Sequence, residues 1–181
     1  MIDRAPESAT ARPGRDPLTG AYSRALLEAR LREELERSER YGQPLALCMI
    51  DLDYLKNVND AYGHRRGDDV LRELARRIDG LSRDADALFR YGGDEFILLL
   101  PNTDGQQALA LARRLLAAVR DEPIAGAPPL HVSVSIGIAS CPADTREPDA
   151  LFAIADARQY AAKRLGRGAI VSGDQADQTG P

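Results

Sequence analysis

Residues Arg90-Tyr91-Gly92-Gly93-Asp94-Glu95-Phe96 run two glycines straight into two carboxylates, between the apolar stretch Ala87-Leu88-Phe89 and the apolar run 96–100. Apolar runs on both sides of Gly-Gly read as two strands joined by a tight hairpin, with glycine supplying the positive φ angles such a turn demands. Glycine also leaves main-chain N–H groups open to a phosphate, and the adjacent acids are placed to hold a divalent cation that bridges to it. Read alone, the pattern equally describes an ordinary polar hairpin, because turn residues and solvated acids are what most hairpins show.

A second acidic cluster shifts that balance. The apolar run 45–50 has the length of a buried strand and ends abruptly in Asp51-Leu52-Asp53-Tyr54-Leu55-Lys56. Carboxylates at the carboxyl end of a buried strand are unfavourable unless paired or metal-bound, and such strand ends are where open α/β sheets place ligands. Converging carboxylates without a histidine or cysteine cluster favour a hard, oxygen-ligated cation, Mg2+ or Mn2+, and with it phosphate chemistry.

The run Asp51-Leu52-Asp53-x-x-Lys56-x-x-Asn59-Asp60-x-Tyr62-Gly63-His64-x-x-Gly67-Asp68, followed by the hairpin motif, closely resembles the GGDEF domain of diguanylate cyclases. The likeness begins at Asp16-Pro17-Leu18-Thr19-Gly20, continues through Ser135-Ile136-Gly137-Ile138-Ala139, and ends near Lys163-Arg164-Leu165-Gly166-Arg167. Several separate motifs in one order are far more specific than a lone Gly-Gly-Asp-Glu. The resemblance implies a palm-like fold in which two GTP molecules, one on each of two facing subunits, condense to cyclic di-GMP and two pyrophosphates.

By the same resemblance Asp51, Asp94, Glu95 and the Leu52 carbonyl are metal ligands, and Asp94 and Glu95 share the catalytic role. Asn59 and Asp68 match the guanine contacts; a carboxylate accepts from N1–H and N2–H together, and an amide suits the N3 and amino side. Outside this motif the two residues would read as an Asn turn and a helix cap. Gly92 and Gly93 line the substrate, and Lys163 and Arg167, one helical turn apart at the end of the last helix, match the holders of GTP's terminal phosphates. Lys56 is a further phosphate candidate. The bland reading of Lys163 and Arg167 is stabilisation of a helix C-terminus. Arg83-x-x-Asp86 stands at the family's spacing before Gly92-Gly93, and with Arg114 it matches an inhibitory site for the product, cyclic di-GMP. His64 reads as a structural hydrogen-bonder; His131 opens a strand and carries no functional signal. The sequence departs from the family pattern at Ala21, Ser23, Leu55, Gln159 and Gly168.

The elements that must position these residues follow from periodicity. Ala25, Leu27, Leu31 and Leu35 give an amphipathic helix from about 23 to 40. The strand 45–50 comes next, and after the acidic loop Val70, Leu71, Leu74, Ala75 and Ile78 define a helix whose first turn carries Asp68 and Asp69. After the hairpin, Thr103 or Asp104 caps a helix ending before Pro123, and Val132, Val134, Ile136 and Ile138 alternate as a strand. Pro148 opens a last helix to about Leu165, and 169–171 returns as a short strand. The fold class is therefore α+β: a ferredoxin-like, palm-like antiparallel sheet with a βαββαβ core and added elements, flanked by helices.

At 181 residues with 44% hydrophobic content the chain suffices for one domain with a sizeable core. The domain is expected over 16–172, with loose tails at 1–15 and 173–181 whose composition is polar and rich in Gly, Pro, Asp and Gln. A net charge of −4 argues against broad electrostatic binding to nucleic acid. Cys48 and Cys141 fit no disulfide framework or zinc spacing, which favours a reducing cytoplasm. No apolar run reaches the roughly 18–20 residues needed to span a bilayer, so no membrane contact is expected of this chain. Family members commonly carry a dimerising region ahead of this domain, so a homodimer is expected to form in a concentration-dependent way. Two readings compete with the cyclase: an idle module that senses GTP or cyclic di-GMP, and another palm-fold nucleotidyl cyclase or polymerase-like enzyme. The second would not need Asn59 and Asp68 at this spacing, nor Arg83 and Asp86.

Overall fold

The computed structural model describes residues 13–173 and the backbone of Ala176–Asp177. Its centre is β2 (Leu45–Leu52), buried along its whole length because it has sheet neighbours on both sides and helices on both faces. β4 (Glu95–Pro101) pairs antiparallel with one side of β2, and β5 (Val134–Cys141) with the other. β3 (Ala87–Arg90) forms the hairpin with β4, and β1 (Tyr22–Ser23) joins β3 in parallel. β6 (Ile170–Val171) lies parallel to β5 and is followed by β7 (Ala176–Asp177), giving the order β1-β3-β4-β2-β5-β6-β7. The inner four strands have the expected βαββαβ connectivity.

Strand periodicity splits the core in two. Ala46, Cys48, Ile50 and Leu52 face a cluster with Leu74, Ile78, Leu115 and Leu116, from helices α3 (His64–Leu81) and α4 (Gly105–Asp121). Leu45, Leu47 and Met49 face Leu27, Leu31, Leu151 and Ala155, from α1 (Leu27–Tyr41) and α5 (Pro148–Arg164). On that second face α5 lies so close to β5 that a Cβ at Gly137 would meet the backbone of Ala155 and Gln159. Asp104 caps α4 through a box with Gln107: its carboxylate accepts from the Gln107 N–H at 2.8 Å, and the Gln107 side chain accepts from the Asp104 N–H at 3.0 Å.

Several expectations are corrected. The segment read as an acidic loop contains a helix, α2 (Leu55–Tyr62), and α3 begins at His64, so Asp68 and Asp69 stand in its second turn and cap nothing. Helix α2 has only eight residues and one fully buried side chain, Leu55, too short a pattern for periodicity to reveal. Neither Gly92 nor Gly93 is at positive φ. The connection is a four-residue loop rather than a two-residue turn, closed by Tyr91 and Gly92 N–H groups that both donate to the Glu95 carbonyl. Val132 and His131 precede β5 rather than starting it. Of the expected tails, residues 1–12, 174–175 and 178–181 lie outside the described residues. Gly14 and Arg15 are tied in: the Gly14 carbonyl accepts from the Ser23 N–H, and the Arg15 guanidinium packs 3.6 Å over the Tyr22 ring. At the other end, Ala176–Asp177 pairs with β6.

Candidate active site

Asp51 and Glu95 stand directly opposite each other where β2 and β4 pair, on the α5 face of the sheet by strand alternation. The hairpin tip is stitched to β2 by the Leu52 N–H, which donates to the Asp94 carbonyl at 3.1 Å. Arg90 fixes it from outside, donating to Asp16 at 3.1 and 3.2 Å and to the Gly93 carbonyl at 2.8 Å. Burial pushes the Asp16 carboxyl up, but bonds from Thr19 and the Arg90 charge together outweigh it and hold Asp16 below its ordinary value. A Cβ on Gly92 would stand 2.5 Å from a Glu95 carboxylate oxygen, so the glycine leaves that side chain its position.

Asp51 is 3% exposed. Burial pushes its carboxyl up, the Lys163 ammonium pulls it down, and the nearby charges of Asp94 and Asp53 add to the rise, leaving it at about 6. Lys163, expected to hold phosphate, instead donates to Asp51 at 2.7 Å. Among the described residues no three acidic, histidine or cysteine side chains are gathered closely enough to grip a metal ion. The donors nonetheless fit a hard cation in kind, since Asp51, Asp94 and Glu95 offer oxygen only and lie close enough for Asp94 to perturb Asp51.

Asp53, two residues on, is also 3% exposed, yet it is fully employed. It accepts from the hydroxyls of Ser133 at 2.6 Å and Ser135 at 2.7 Å and from the Gly168 N–H at 3.0 Å. The sequence reading assigned it no role; the available signal was its place two residues after Asp51, on the same strand face. Arg167 does not continue α5 as expected. It sits beyond the helix at φ 69°, between Gly166 and Gly168, because the glycines end the helix in a left-handed turn. Its guanidinium lies 4.6 Å over the ring of Tyr54, itself at φ 60° as the residue opening α2, and 4.0 Å from Asp53. Lys163 and Arg167 thus diverge, one toward Asp51 and one toward Tyr54.

On the opposite side of the β2 end, α2 and α3 present Asn59 and Asp68, both half-buried. Neither side chain has a hydrogen-bond or ion-pair partner among the described residues. Lys56 is exposed on α2. His64, exposed at the start of α3, makes no side-chain hydrogen bond among the described residues, so the structural bond expected of it is not made there.

The sequence profile described as "Diguanylate cyclase, GGDEF domain" matches residues 14–169. The chain belongs to the GGDEF family. It is 37% identical over 159 residues to the response regulator PleD of Caulobacter vibrioides, covering 86% of this chain and 35% of PleD. It is 40% identical over 153 residues to the diguanylate cyclase DgcP of Pseudomonas aeruginosa, covering 84% of this chain and 23% of DgcP. The chain therefore spans about a third or less of the length of these curated relatives. Among solved structures, the GGDEF domain of DgcB from Caulobacter crescentus, in complex with c-di-GMP, superposes with a TM-score of 0.85 at 25% identity, covering 96% of this chain and all of that one. The diguanylate cyclase SiaD from Pseudomonas aeruginosa gives 0.83 at 41% identity, covering 88% and 62%.

In this GGDEF domain Arg83 and Asp86 form one turn after α3: the Asp86 carboxylate accepts from the Arg83 N–H at 2.7 Å. Burial raises the Asp86 carboxyl, and its other oxygen is buried without a partner. Both residues line a cavity of about 900 Å3 shared with Arg15, Asp16 and Tyr22. Arg114 reaches from α4 toward the Leu81 carbonyl at 3.4 Å and does not line that cavity. The departures from the family pattern have local accounts. Gly168, at φ 57°, occupies a left-handed position that glycine and asparagine both favour. Ala21 and Leu55 are core residues, and α1 forms after a 3-10 turn at Arg24–Leu26 despite Ser23. Gln159 is buried with its Nε2 unpartnered, and nothing in the structure explains it.

Proposed function

We propose that this domain is a diguanylate cyclase that joins two GTP molecules, bound on two facing copies, into cyclic di-GMP. Each 3′-hydroxyl attacks the α-phosphorus of the other nucleotide; two P–O bonds form, two pyrophosphates leave, and each hydroxyl gives up its proton. The observation that carries the reading is Asp51 at the end of β2, directly opposite Glu95 and within reach of the Asp94 charge, with Asn59 and Asp68 unpartnered across that strand end. Relatives named diguanylate cyclases, and a GGDEF structure in complex with c-di-GMP, support it.

Asp51, Asp94, Glu95 and the Leu52 carbonyl would hold Mg2+ or Mn2+. That cation supplies a lowered hydroxyl pKa and charge neutralisation at the phosphate. Asp68 accepts from guanine N1–H and N2–H while Asn59 meets the N3 side. Lys163, Arg167 and Lys56 draw the terminal phosphates, and the Gly92–Gly93 backbone lets them approach. Asp94 and Glu95 share the removal of the proton from the attacking hydroxyl. The product returns to Arg83, Asp86 and Arg114, where guanidinium forks meet guanine or phosphate, and restrains synthesis.

The test incubates the protein with GTP and Mg2+ over a protein concentration series, with products identified by mass spectrometry beside Asp94→Ala. Cyclic di-GMP from the unmutated protein alone, at a rate rising faster than linearly with protein, is the expected result. No product, with cyclic di-GMP still bound, would make the domain a sensor instead.

A further inference from the structure

We infer that Gly67 determines base specificity: its missing Cβ is the space in which the Asn59 carboxamide stands beside Asp68, and any side chain there would disarm the pair. The inference rests on the cyclase reading and deepens it by naming what builds the guanine-reading surface.

Gly67 lies inside α3 and is buried, and it is not among the positive-φ glycines, so its backbone makes no demand for glycine. Helix interiors favour alanine over glycine, which makes a conformational reason for Gly67 still weaker. Space supplies the reason. A Cβ on Gly67 would fall on the Asn59 Oδ1, with the Asn59 Cγ at 3.0 Å and the Leu55 Cδ1 at 3.2 Å. All three atoms belong to α2, so the glycine sets how closely α2 and α3 approach at the one level where each offers a half-buried polar group. The nearest obstructing atom is the free end of a side chain, with no hydrogen bond holding it among the described residues. An added methyl group therefore turns the carboxamide away and leaves the helix pair standing. Asp68, the next residue along α3, keeps its backbone position, so its acceptance from N1–H and N2–H survives while the Asn59 contact on the N3 and amino side is lost.

The experiment measures binding of 3′-deoxy-GTP and 3′-deoxy-ITP with Mg2+ by calorimetry. Both lack the attacking hydroxyl, and the inosine analogue lacks the 2-amino group. The unmutated protein is expected to favour the guanine analogue by about tenfold, one hydrogen-bond pair's worth. Gly67→Ala and Asn59→Ala each reduce that preference to about threefold, the part that Asp68 retains, and Gly67→Ala in the Asn59→Ala background changes it no further. Melting temperature of Gly67→Ala stays at or above that of the unmutated protein. Retention of the full preference in Gly67→Ala, where Asn59→Ala reduces it, overturns the inference and leaves the cyclase reading intact. Failure of the unmutated protein to bind either analogue overturns that reading and the inference with it. Should Gly67→Ala alone not fold, the Gly67→Ala/Asn59→Ala double variant decides: folding of the double supports the contact, and its failure to fold overturns it.

Discussion

Lys163 Nζ and Asp51 Oδ2 are 2.7 Å apart, joining the last turn of α5 to the end of the central strand. The lysine side chain is 30% exposed and the aspartate side chain 4%. The ammonium thus offsets the charge of the carboxylate that the proposed cation would also engage. A residue that the family resemblance assigned to phosphate is found on the proposed cation ligand. Its flexible four-carbon stem lets it serve both places in turn.

Lys163→Met is expected to destabilise the metal-free protein by about 1–3 kcal/mol, because a buried carboxylate loses its charged partner. Added Mg2+ should restore more stability to this variant than to the unmutated protein, measured by melting temperature. The pH profile has a defined sign. With Asp51 raised to about 6 from an ordinary 3.8, the native state holds a proton that the unfolded chain has released between those values. Asp51 therefore makes stability fall as pH rises from about 4 to about 6. Asp51→Asn should abolish that slope in metal-free protein and raise the melting temperature at pH 7 while eliminating product. An unchanged slope would place the raised group elsewhere.

Arg90 joins three pieces of chain: Asp16 in the first turn, its own strand β3, and the Gly93 carbonyl at the acidic tip. Asp16 and Arg90 side chains are each only 17% exposed, so the pair is held in little water. Arg90→Lys keeps the charge but loses the fork that reaches both partners. Activity should fall at least about tenfold, from misplacement of Asp94, with a stability loss of about 1–2 kcal/mol. A fall in stability without a change in activity would separate the tip's position from this arginine.

Much of this was legible in residue order. β2, the β3–β4 hairpin and α5 followed from apolar runs, Gly-Gly and Pro148, and the two acidic clusters were expected to converge, though not with Glu95 as the residue opposite Asp51. What escaped depends on three dimensions. Helix α2 is too short to show a period, and its opening residue Tyr54 stands at positive φ, which no side chain advertises. Helical spacing put Lys163 and Arg167 on one face, but Gly166 turns the chain before Arg167 is reached. Gly92 reads as a turn residue by type, whereas its neighbour Glu95 gives the reason for it.

Gly137 tests how closely the last helix must sit. A Cβ there would meet the Ala155 carbonyl oxygen and the Gln159 nitrogen, both backbone atoms of α5 that cannot rotate aside. Gly137→Ala therefore has to push α5 off β5, and overpacking of this kind typically costs about 1–3 kcal/mol. Because α5 carries Lys163, the same variant should lower the proposed phosphate affinity even at temperatures where it remains folded. Denaturant unfolding and nucleotide binding on one preparation check both parts. Wild-type stability in Gly137→Ala would show that the helix has room to spare.

Asp53 is a structural acid two residues from Asp51, the proposed cation ligand. Its oxygens take two serine hydroxyls and the Gly168 N–H, so it ties the end of β2 to β5 and to the turn that displays Arg167. Asp53→Ala leaves those donors without an acceptor in a site 3% exposed, and should cost about 2–4 kcal/mol. Ser133→Ala/Ser135→Ala leaves the buried carboxylate with the Gly168 N–H alone, and should cost a similar amount. Asp53→Asn keeps one carbonyl acceptor but places an amide against at least one donor, giving a smaller loss. A lowered melting temperature without added metal in all three variants is the signature of a latch. A cation ligand would behave differently: Asp53→Ala would leave the metal-free melting temperature nearly unchanged and abolish only the stabilisation gained on adding Mg2+.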